Sequence, residues 1–332
     1  MLKENKVVKY LLYAIGEIIL VTVGILIALQ INNKNELHKN EVKVEAILED
    51  IQSEFISDLE DLDQIIPLYQ HKDSLIDFVL SGEVTEEDYA RNLELFSLLT
   101  TYAGFECKAN AYENLMRNSD IIPNKYNDII PLLDELYLEN NKNIDEIHNR
   151  LSTLVNNTIS SWSEKYTWYL DLNRRGQNPA AVDYFLNDPF YKNALATYQI
   201  YASGNLLRLY GNHQLKTVLA YKAIQKKLTN PGELPKIITS YIQDLSPEKM
   251  QRLTGNYLIT PTFGIEVFIE DDQLRARATG QQSFDLYAKS QLTVFNPVVG
   301  ISISFNEEEN GTISSLEITQ SGVTSTFKKV EL

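Results

Sequence analysis

The chain has 332 residues, 44% of them hydrophobic, and a formal net charge of −15. The length indicates two or three domains, and the apolar content is sufficient for folded cores. Lys and Arg are not clustered, which argues against nucleic-acid binding and against broad contact with anionic lipid headgroups. The single cysteine, Cys107, excludes an intramolecular disulfide, and on this reasoning also a cysteine-based metal site.

The first predicted element is the apolar segment YLLYAIGEIILVTVGILIALQINN, residues 10–33. The roughly 22 residues between Lys9 and Asn32 span about 33 Å as a helix, enough for a hydrocarbon core of ~30 Å. No small-x-small cleavage site follows, so we expect an uncleaved transmembrane signal anchor over residues 1–33. A buried core helix is the alternative interpretation.

The orientation of this segment rests on its flanking charges. Basic residues are nearly balanced on the two sides, at Lys3, Lys6 and Lys9 before it and Lys34, Lys39 and Lys43 after it. The positive-inside rule therefore decides little. The short basic tail favours a cytoplasmic N-terminus. We accordingly expect a single-pass protein of the bacterial inner membrane with its C-terminal domains in the periplasm.

One stripe of the predicted span carries its only carboxylate. Glu17 shares this face with a small-xxx-small pair, which allows a second helix to approach closely. We expect the helix-packing residues of the membrane segment to be Tyr13, Ala14, Glu17, Val21, Gly24 and Ala28. Two other interpretations remain open: Glu17 extends toward the headgroups, or it takes part in a proton relay.

The segment KYLLYAIGEIILVTVGILIALQINN, with its Gly16-Glu17 pair, and the later NAYENLMRNSDIIPN at 110–124 resemble an uncharacterised family of bacterial single-span membrane-anchored proteins, known only as a domain of unknown function. The resemblance covers roughly residues 1–230. It implies a membrane anchor followed by a helical region, but no activity. Lys34 stands where such proteins often carry Trp, which weakens an interfacial aromatic anchor there.

Residues 34–245 predict a domain of long helices, because apolar residues recur every three or four positions from Val44 onward. Pro67 is expected to end or kink the first of these helices, and Thr85 to cap the next one. Further long helices are predicted from about Lys125 and from Pro189 to Leu228, with a short one between Pro179 and Leu186. Aromatic residues crowd into 162–201, and they are interpreted as core packing, with glycan stacking as the alternative.

Residues 246–332 change to a period of two, which predicts about eight short antiparallel strands closing into a barrel. The pieces LTGNYLI, FGIEVFIEDDQL, GQQSFDLYAKSQLTVF and ISISFNEEENGTISSLEITQSG resemble the lipocalin-like domain attached to serine beta-lactamase-like hydrolases. The resemblance implies an accessory domain, and no such hydrolase precedes it here. Alternation predicts a filled interior without a ligand cavity, with these residues pointing inward: Ile265, Val267, Ile269, Leu274, Ile301, Ile303 and Phe305.

No catalytic motif in the sequence is supported by the residues around it. Ser246-Pro247-Glu248-Lys249 has the S-x-x-K spacing of a hydrolase nucleophile, but it is better explained as a helix start. The four histidines are widely spaced, and no i+4 partner suggests a metal pair. Acid pairs such as Asp58 with Asp61 are interpreted as solvated helix faces. We therefore expect no enzyme, no cofactor and no metal.

The fold class that follows is α+β: a transmembrane helix, a long-helix bundle and a C-terminal eight-stranded antiparallel lipocalin-like barrel. The predicted function is an inner-membrane-anchored scaffold or binding protein of the cell envelope. The alternative is a subunit of a membrane complex that uses Glu17 for assembly or ion coupling. Expected partners are the membrane and, through the transmembrane helix, a second copy or another membrane protein, but not nucleic acid.

Overall fold

The computed structural model describes residues 4–173, 178–320 and 322–330, with side chains described from Val8 onward and not for Asn173. The fold is α+β: the described helices precede a single antiparallel sheet. The helices are α1 (Glu4–Ser81), α2 (Glu86–Arg91), α3 (Asn110–Arg117), α4 (Ile130–Asp134), α5 (Asn141–Lys165), α6 (Tyr169–Asn173), α7 (Pro179–Asn187), α8 (Pro189–Gln199), α9 (Leu207–Gln225), α10 (Lys236–Tyr241) and α11 (Pro247–Leu253). Two π-helical segments, Glu135–Asn140 and Ile200–Leu206, join α4 to α5 and α8 to α9.

Helix α1 is continuous over 78 residues. Its large apolar side chains between Val8 and Leu37 are exposed, whereas Val44 and the residues that repeat after it form the core of the helical domain. The apolar segment therefore passes into the folded domain without a break. Pro67 was expected to end or kink this helix, and the first of these outcomes is wrong because α1 runs on to Ser81. Pro67 lies on the exposed face, where water can satisfy the carbonyl group that a proline leaves unbonded.

The helical domain packs around the second half of α1, against α3, α8 and α9. The predicted cap is confirmed: Thr85 accepts a hydrogen bond from the Asp88 amide, and the Asp88 side chain accepts one from the Thr85 amide. Pro179 and Pro189 open α7 and α8, where a missing amide proton costs nothing. Ser246 caps α11 with Pro247 in its first turn, so the S-x-x-K tetrapeptide is a helix start.

The aromatic residues of 162–201 form a mutually packed cluster inside this domain. Trp162 contacts Phe185 edge-on at 5.3 Å between ring centroids, and Tyr166 stacks on Trp168 at 4.7 Å. Trp162, Phe185 and Tyr191 are buried, while Phe190 is exposed. The ring faces are occupied by other rings, which favours the interpretation as core packing.

Within the described residues the sheet contains nine strands rather than the predicted eight, and their pairings are antiparallel. The strands are β1 (Gly255–Thr260), β2 (Phe263–Glu270), β3 (Gln273–Ala278), β4 (Phe284–Asp285), β5 (Tyr287–Ala288), β6 (Thr293–Asn296), β7 (Ile301–Glu307), β8 (Ile313–Gln320) and β9 (Val323–Val330). The order β4-β3-β2-β1-β9-β8-β7-β6-β5 is a meander in which the first strand pairs with the last.

The extra strand comes from a break at Leu286. Residues 284–285 pair with β3 and residues 287–288 pair with β6, so these two short strands lie at opposite edges of the sheet. The Leu286 amide still donates to the Leu274 carbonyl at 2.8 Å. The chain thus turns from one edge to the other within five residues, and the sheet is a nearly closed barrel.

The barrel has its own hydrophobic core. The predicted inward residues Ile265, Val267, Leu274, Ile303 and Phe305 are buried, and Ile269 and Ile301 are partly buried against them. A cavity of about 530 Å³ nevertheless opens at one end, with Phe263, Phe284, Ile318 and Phe327 among its lining side chains. The prediction of a wholly filled interior is therefore wrong, because alternation sets the direction of side chains and not how completely they fill the ends.

The barrel contacts the helical domain through a small aromatic junction. Tyr241 of α10 packs edge-on against Phe295 of β6 at 5.4 Å. The Gln243 amide donates to the Ala288 carbonyl at 2.8 Å, which adds a short bridge to the β5 edge. Gly211 of α9 lies so close to the barrel that a Cβ there would be 3.0 Å from Pro297. The two domains therefore meet at β5 and β6.

Candidate functional site

The predicted membrane-packing residues lie along one side of the exposed part of α1. Each is exposed, and Gly24 has open space around it within this chain. The only side-chain hydrogen bond described in this part is local, from the Thr22 hydroxyl to the Ile18 carbonyl at 2.7 Å. The stripe that the sequence predicts is formed by Tyr13, Ala14, Glu17, Val21, Gly24 and Ala28.

By length and composition, α1 has an apolar stretch that could cross a membrane. Its most apolar 18-residue window has a mean hydropathy of 2.4, and no part of that window is buried within the protein. A core helix of a soluble protein would be largely buried, so the alternative interpretation of this segment as a core helix is not favoured.

A second candidate site lies inside the helical domain, where three potential metal ligands meet. Asp58 of α1, Cys107 of the extended segment before α3, and His213 of α9 have ligand atoms within 4.8 Å of one another. Asp58 and His213 have no exposed surface, and Cys107 is buried. We refer to these three residues as the polar centre.

Asp58 is held by the chain that follows Cys107. The Lys108 amide donates to both carboxylate oxygens, at 3.2 and 3.3 Å. The Lys108 ammonium lies 3.4 Å from Asp58 Oδ1 and 2.6 Å from Asp61 Oδ2. The amide and the ammonium both place hydrogen-bond donors against the Asp58 carboxyl oxygens, and this offsets the cost of burying the group. They leave Asp58 Oδ2 facing His213 Nε2 at 3.9 Å.

His213 is positioned through its other ring nitrogen. Nδ1 lies 3.0 Å from Asn140 Nδ2, and Asn212 Nδ2 donates to Asn140 Oδ1 at 3.0 Å. Phe105 packs edge-on against the imidazole at 5.1 Å. Nε2 has no hydrogen-bond partner although it is fully buried. An unpartnered buried polar atom carries a cost of about 1–3 kcal/mol, which calls for a physical explanation.

Tyr137 provides a second buried, unpartnered polar group in the helical domain. Its hydroxyl is buried and makes no hydrogen bond, and burial, reinforced by Cys107, Glu54 and Asp58, raises its pKa. Tyr137 and Asn140 both lie on the π-helical segment 135–140, a distortion often found at functional sites. The ring of Tyr137 stacks on Tyr112 at 4.4 Å between centroids, which fixes its position.

Cys107 does not have the environment of a catalytic nucleophile. Burial, followed by the charge of Asp58, raises the pKa of the Cys107 thiol, so the protein alone keeps it as the unreactive thiol at neutral pH. A cavity of about 720 Å³ adjoins it, with Asp61, Gln64, Phe105 and Lys108 among its lining residues. The polar centre is therefore buried but lies next to an opening at the surface.

Sequence reasoning missed this centre for two reasons. The interpretation of Asp58 as part of a solvated face is wrong, since Asp58 is fully buried while Asp61 is about half exposed. Its position between Phe55 and Leu59 in the apolar repeat was a usable signal. The other reason is that a search for paired histidines or several cysteines overlooks a site with one ligand from each of three distant segments.

A model of a family of unknown function (DUF6090) matches residues 17–119 of the chain. The match begins at Glu17, includes Asp58, Cys107 and Lys108, and ends before His213 and the barrel, so it is shorter than the expected resemblance over residues 1–230. No curated protein matches the chain.

Proposed function

We propose that the protein is a membrane-anchored scaffold or binding protein of the bacterial cell envelope that acts without catalysis. Residues 1–33 would anchor it in the inner membrane, and the domains at 34–245 and 246–332 would lie in the periplasm. The observation that carries the proposal is the exposed apolar segment of α1, which packs against nothing in the described chain yet continues in the same helix into a folded core. In water this surface would be an aggregation hazard, whereas in a bilayer it is satisfied.

The binding role is supported by the barrel. Its open end provides a cavity of about 530 Å³ with a mainly apolar lining, within the size range of small-molecule sites. The domain that carries it would be held at a distance from the membrane by α1. A helix rises 1.5 Å per residue, so the stretch from Asn33 to Val44 corresponds to about 16 Å.

The anchoring proposal is tested by fractionating cells that express the full chain and a variant lacking residues 1–35. We expect the full chain to remain with membranes after an alkaline carbonate wash. We expect the truncated variant to be soluble and to keep the far-ultraviolet circular dichroism spectrum of a folded protein. A full chain released by carbonate would contradict the anchor. A reporter active only outside the cytoplasm, fused after Leu332, should be active, and an inactive reporter on intact protein would reverse the topology.

A second candidate function is supported by Glu17. A carboxylate kept on the small-residue stripe of α1 suits a membrane-complex subunit, in which Glu17 joins a polar group of another protein for assembly or ion coupling. Purification in mild detergent followed by mass measurement separates the two functions. A scaffold should purify as copies of itself, and an ion-coupled subunit should bring polytopic partners.

A further inference from the structure

We propose that Asp58, Cys107 and His213 bind one divalent transition-metal cation of the zinc type, which joins α1, the segment before α3 and α9 at the centre of the helical domain. This site is independent of the membrane role proposed above. Its ligand atoms are a carboxylate oxygen, a thiol sulfur and an imidazole nitrogen within 4.8 Å of one another. That donor set is the one that zinc uses in proteins.

The unpartnered nitrogen of His213 points to a cation rather than to a purely internal network. Nε2 is fully buried, faces the Asp58 carboxylate at 3.9 Å and has no partner. A direct hydrogen bond is excluded at that distance. A cation between the nitrogen, the carboxylate and the sulfur would satisfy all three groups. A water molecule would be available for the fourth position.

The charges at the site balance with a dication. Binding replaces the thiol proton of Cys107, which leaves to solvent, and forms a bond between the thiolate sulfur and the metal. Two positive charges then meet one thiolate and one carboxylate. The Lys108 ammonium lies closer to Asp61 Oδ2, at 2.6 Å, than to Asp58 Oδ1, at 3.4 Å, so Asp61 is the main partner of its charge.

The side-chain amides next to His213 can be oriented so that its Nε2 is free to bind a metal. With Asn140 Nδ2 toward Nδ1, the proton of a neutral imidazole lies on Nε2. Turning the amides of Asn140 and Asn212 together places Asn140 Oδ1 against Nδ1–H and frees the Nε2 lone pair. Asn140 Nδ2 would then donate to Asn212 Oδ1, which reverses the direction of the present bond between the two amides. Such an acceptor behind a metal-binding histidine is the usual arrangement.

The experiment uses the full chain in detergent, stripped with a chelator and titrated with Zn²⁺ by calorimetry and with Co²⁺ by absorbance. We expect one equivalent of either ion and a thiolate-to-cobalt charge-transfer band. At a hundredfold excess of Zn²⁺ over Kd, Tm should rise by about 5–10 °C. A folded, unmodified protein that takes up Co²⁺ without this band, or takes up none, would overturn the proposal without any variant.

Three variants and a control assign the ligands. Cys107→Ser should abolish the charge-transfer band, His213→Gln should weaken Zn²⁺ binding by at least about tenfold, and Asn140→Asp should strengthen it. The matched control is His71→Gln. His71 pairs with Glu94 at 2.7 Å on the exposed surface, so its loss should change nothing. Equal loss of affinity in His71→Gln and His213→Gln would place the ion at the surface and refute the site.

Discussion

At the scale of single residues, Lys72 is a lysine whose pKa is lowered by its surroundings. Its ammonium donates to Thr101 Oγ1 at 3.0 Å and lies 4.4 Å above the ring of Tyr198. Burial lowers the pKa of Lys72 to about 7. It lines a cavity of about 340 Å³ with His71, Glu94 and Tyr102, so reagents can reach the amine.

Lys72 should therefore be the fastest lysine to acylate at neutral pH, with a rate that reaches half its maximum near pH 7, because the neutral amine is the nucleophile. Peptide mapping after brief treatment with an acylating reagent at pH 6–9 measures this. The exposed Lys142 is the control and should react more slowly at pH 7. Equal rates for the two side chains would contradict the lowered pKa.

The same pKa change makes stability depend on pH. The unfolded chain holds the Lys72 proton up to its ordinary pKa of 10.5, whereas the folded chain releases it near 7. Between these values the unfolded state binds more protons, so the free energy of unfolding rises with pH. From pH 7 to 9 we expect a gain of about 1–2 kcal/mol over that of Lys72→Met, measured by denaturant unfolding. A parallel pH profile in Lys72→Met would refute this.

At the scale of elements, α1 shows what periodicity predicts and what it omits. The repeat from Val44 through Leu62 identified the buried face, and all of its large apolar members are in the core. Pro67 does not end the helix, because the buried side chains of Leu62 and Tyr69 hold α1 against the core on both sides of it. The break at Leu286 was not predictable, because it follows from closing the sheet and not from a local turn signal.

The stripe on α1 predicts a helix–helix contact in the membrane. Glu17→Leu and Gly24→Ile should each reduce crosslinking between membrane segments, because one removes a polar contact and the other separates the helices. The loss corresponds to about 0.6–2 kcal/mol, so it can be partial. Thr22→Leu is the control, since it removes a hydroxyl that bonds only to its own helix. Equal crosslinking in all three variants would favour a Glu17 that extends to the headgroups.

At the scale of the whole molecule, the described residues form two hydrophobic cores, and Tyr287 and Phe295 of the barrel pack against the helical one. The change from period 3.6 to period 2 near Ser246 is where the sequence predicts the second domain to begin, and the first described strand starts at Gly255. The polar centre was not predictable in the same way, because its residues are 49 and 106 positions apart along the chain (107 − 58 and 213 − 107) and are brought together only by the packing of α1 and α9.

Residues 246–332 should fold alone, because their core is closed by their own strands. The isolated fragment should show a β-type circular dichroism spectrum and a cooperative thermal transition. Leu316→Ala, at a fully buried position, should destabilise it by about 2–5 kcal/mol. The control is Val323→Ala, at an exposed position, which should have little effect. A fragment that stays unfolded while the full chain folds would show that the helical domain is required.

The unbroken course of α1 also fixes the angle about the helix axis between its exposed apolar segment and the folded domain. At 100° per residue, the stripe centred on Glu17 and Val21 points roughly opposite to the core face that begins at Val44 and Ile47. If two copies paired through their stripes, the folded domains of each copy would lie on opposite, outer sides of the helix pair and would not clash. One alanine inserted between Asn33 and Lys39 would turn those bodies by about a quarter of a circle, and seven would nearly restore the original pairing geometry.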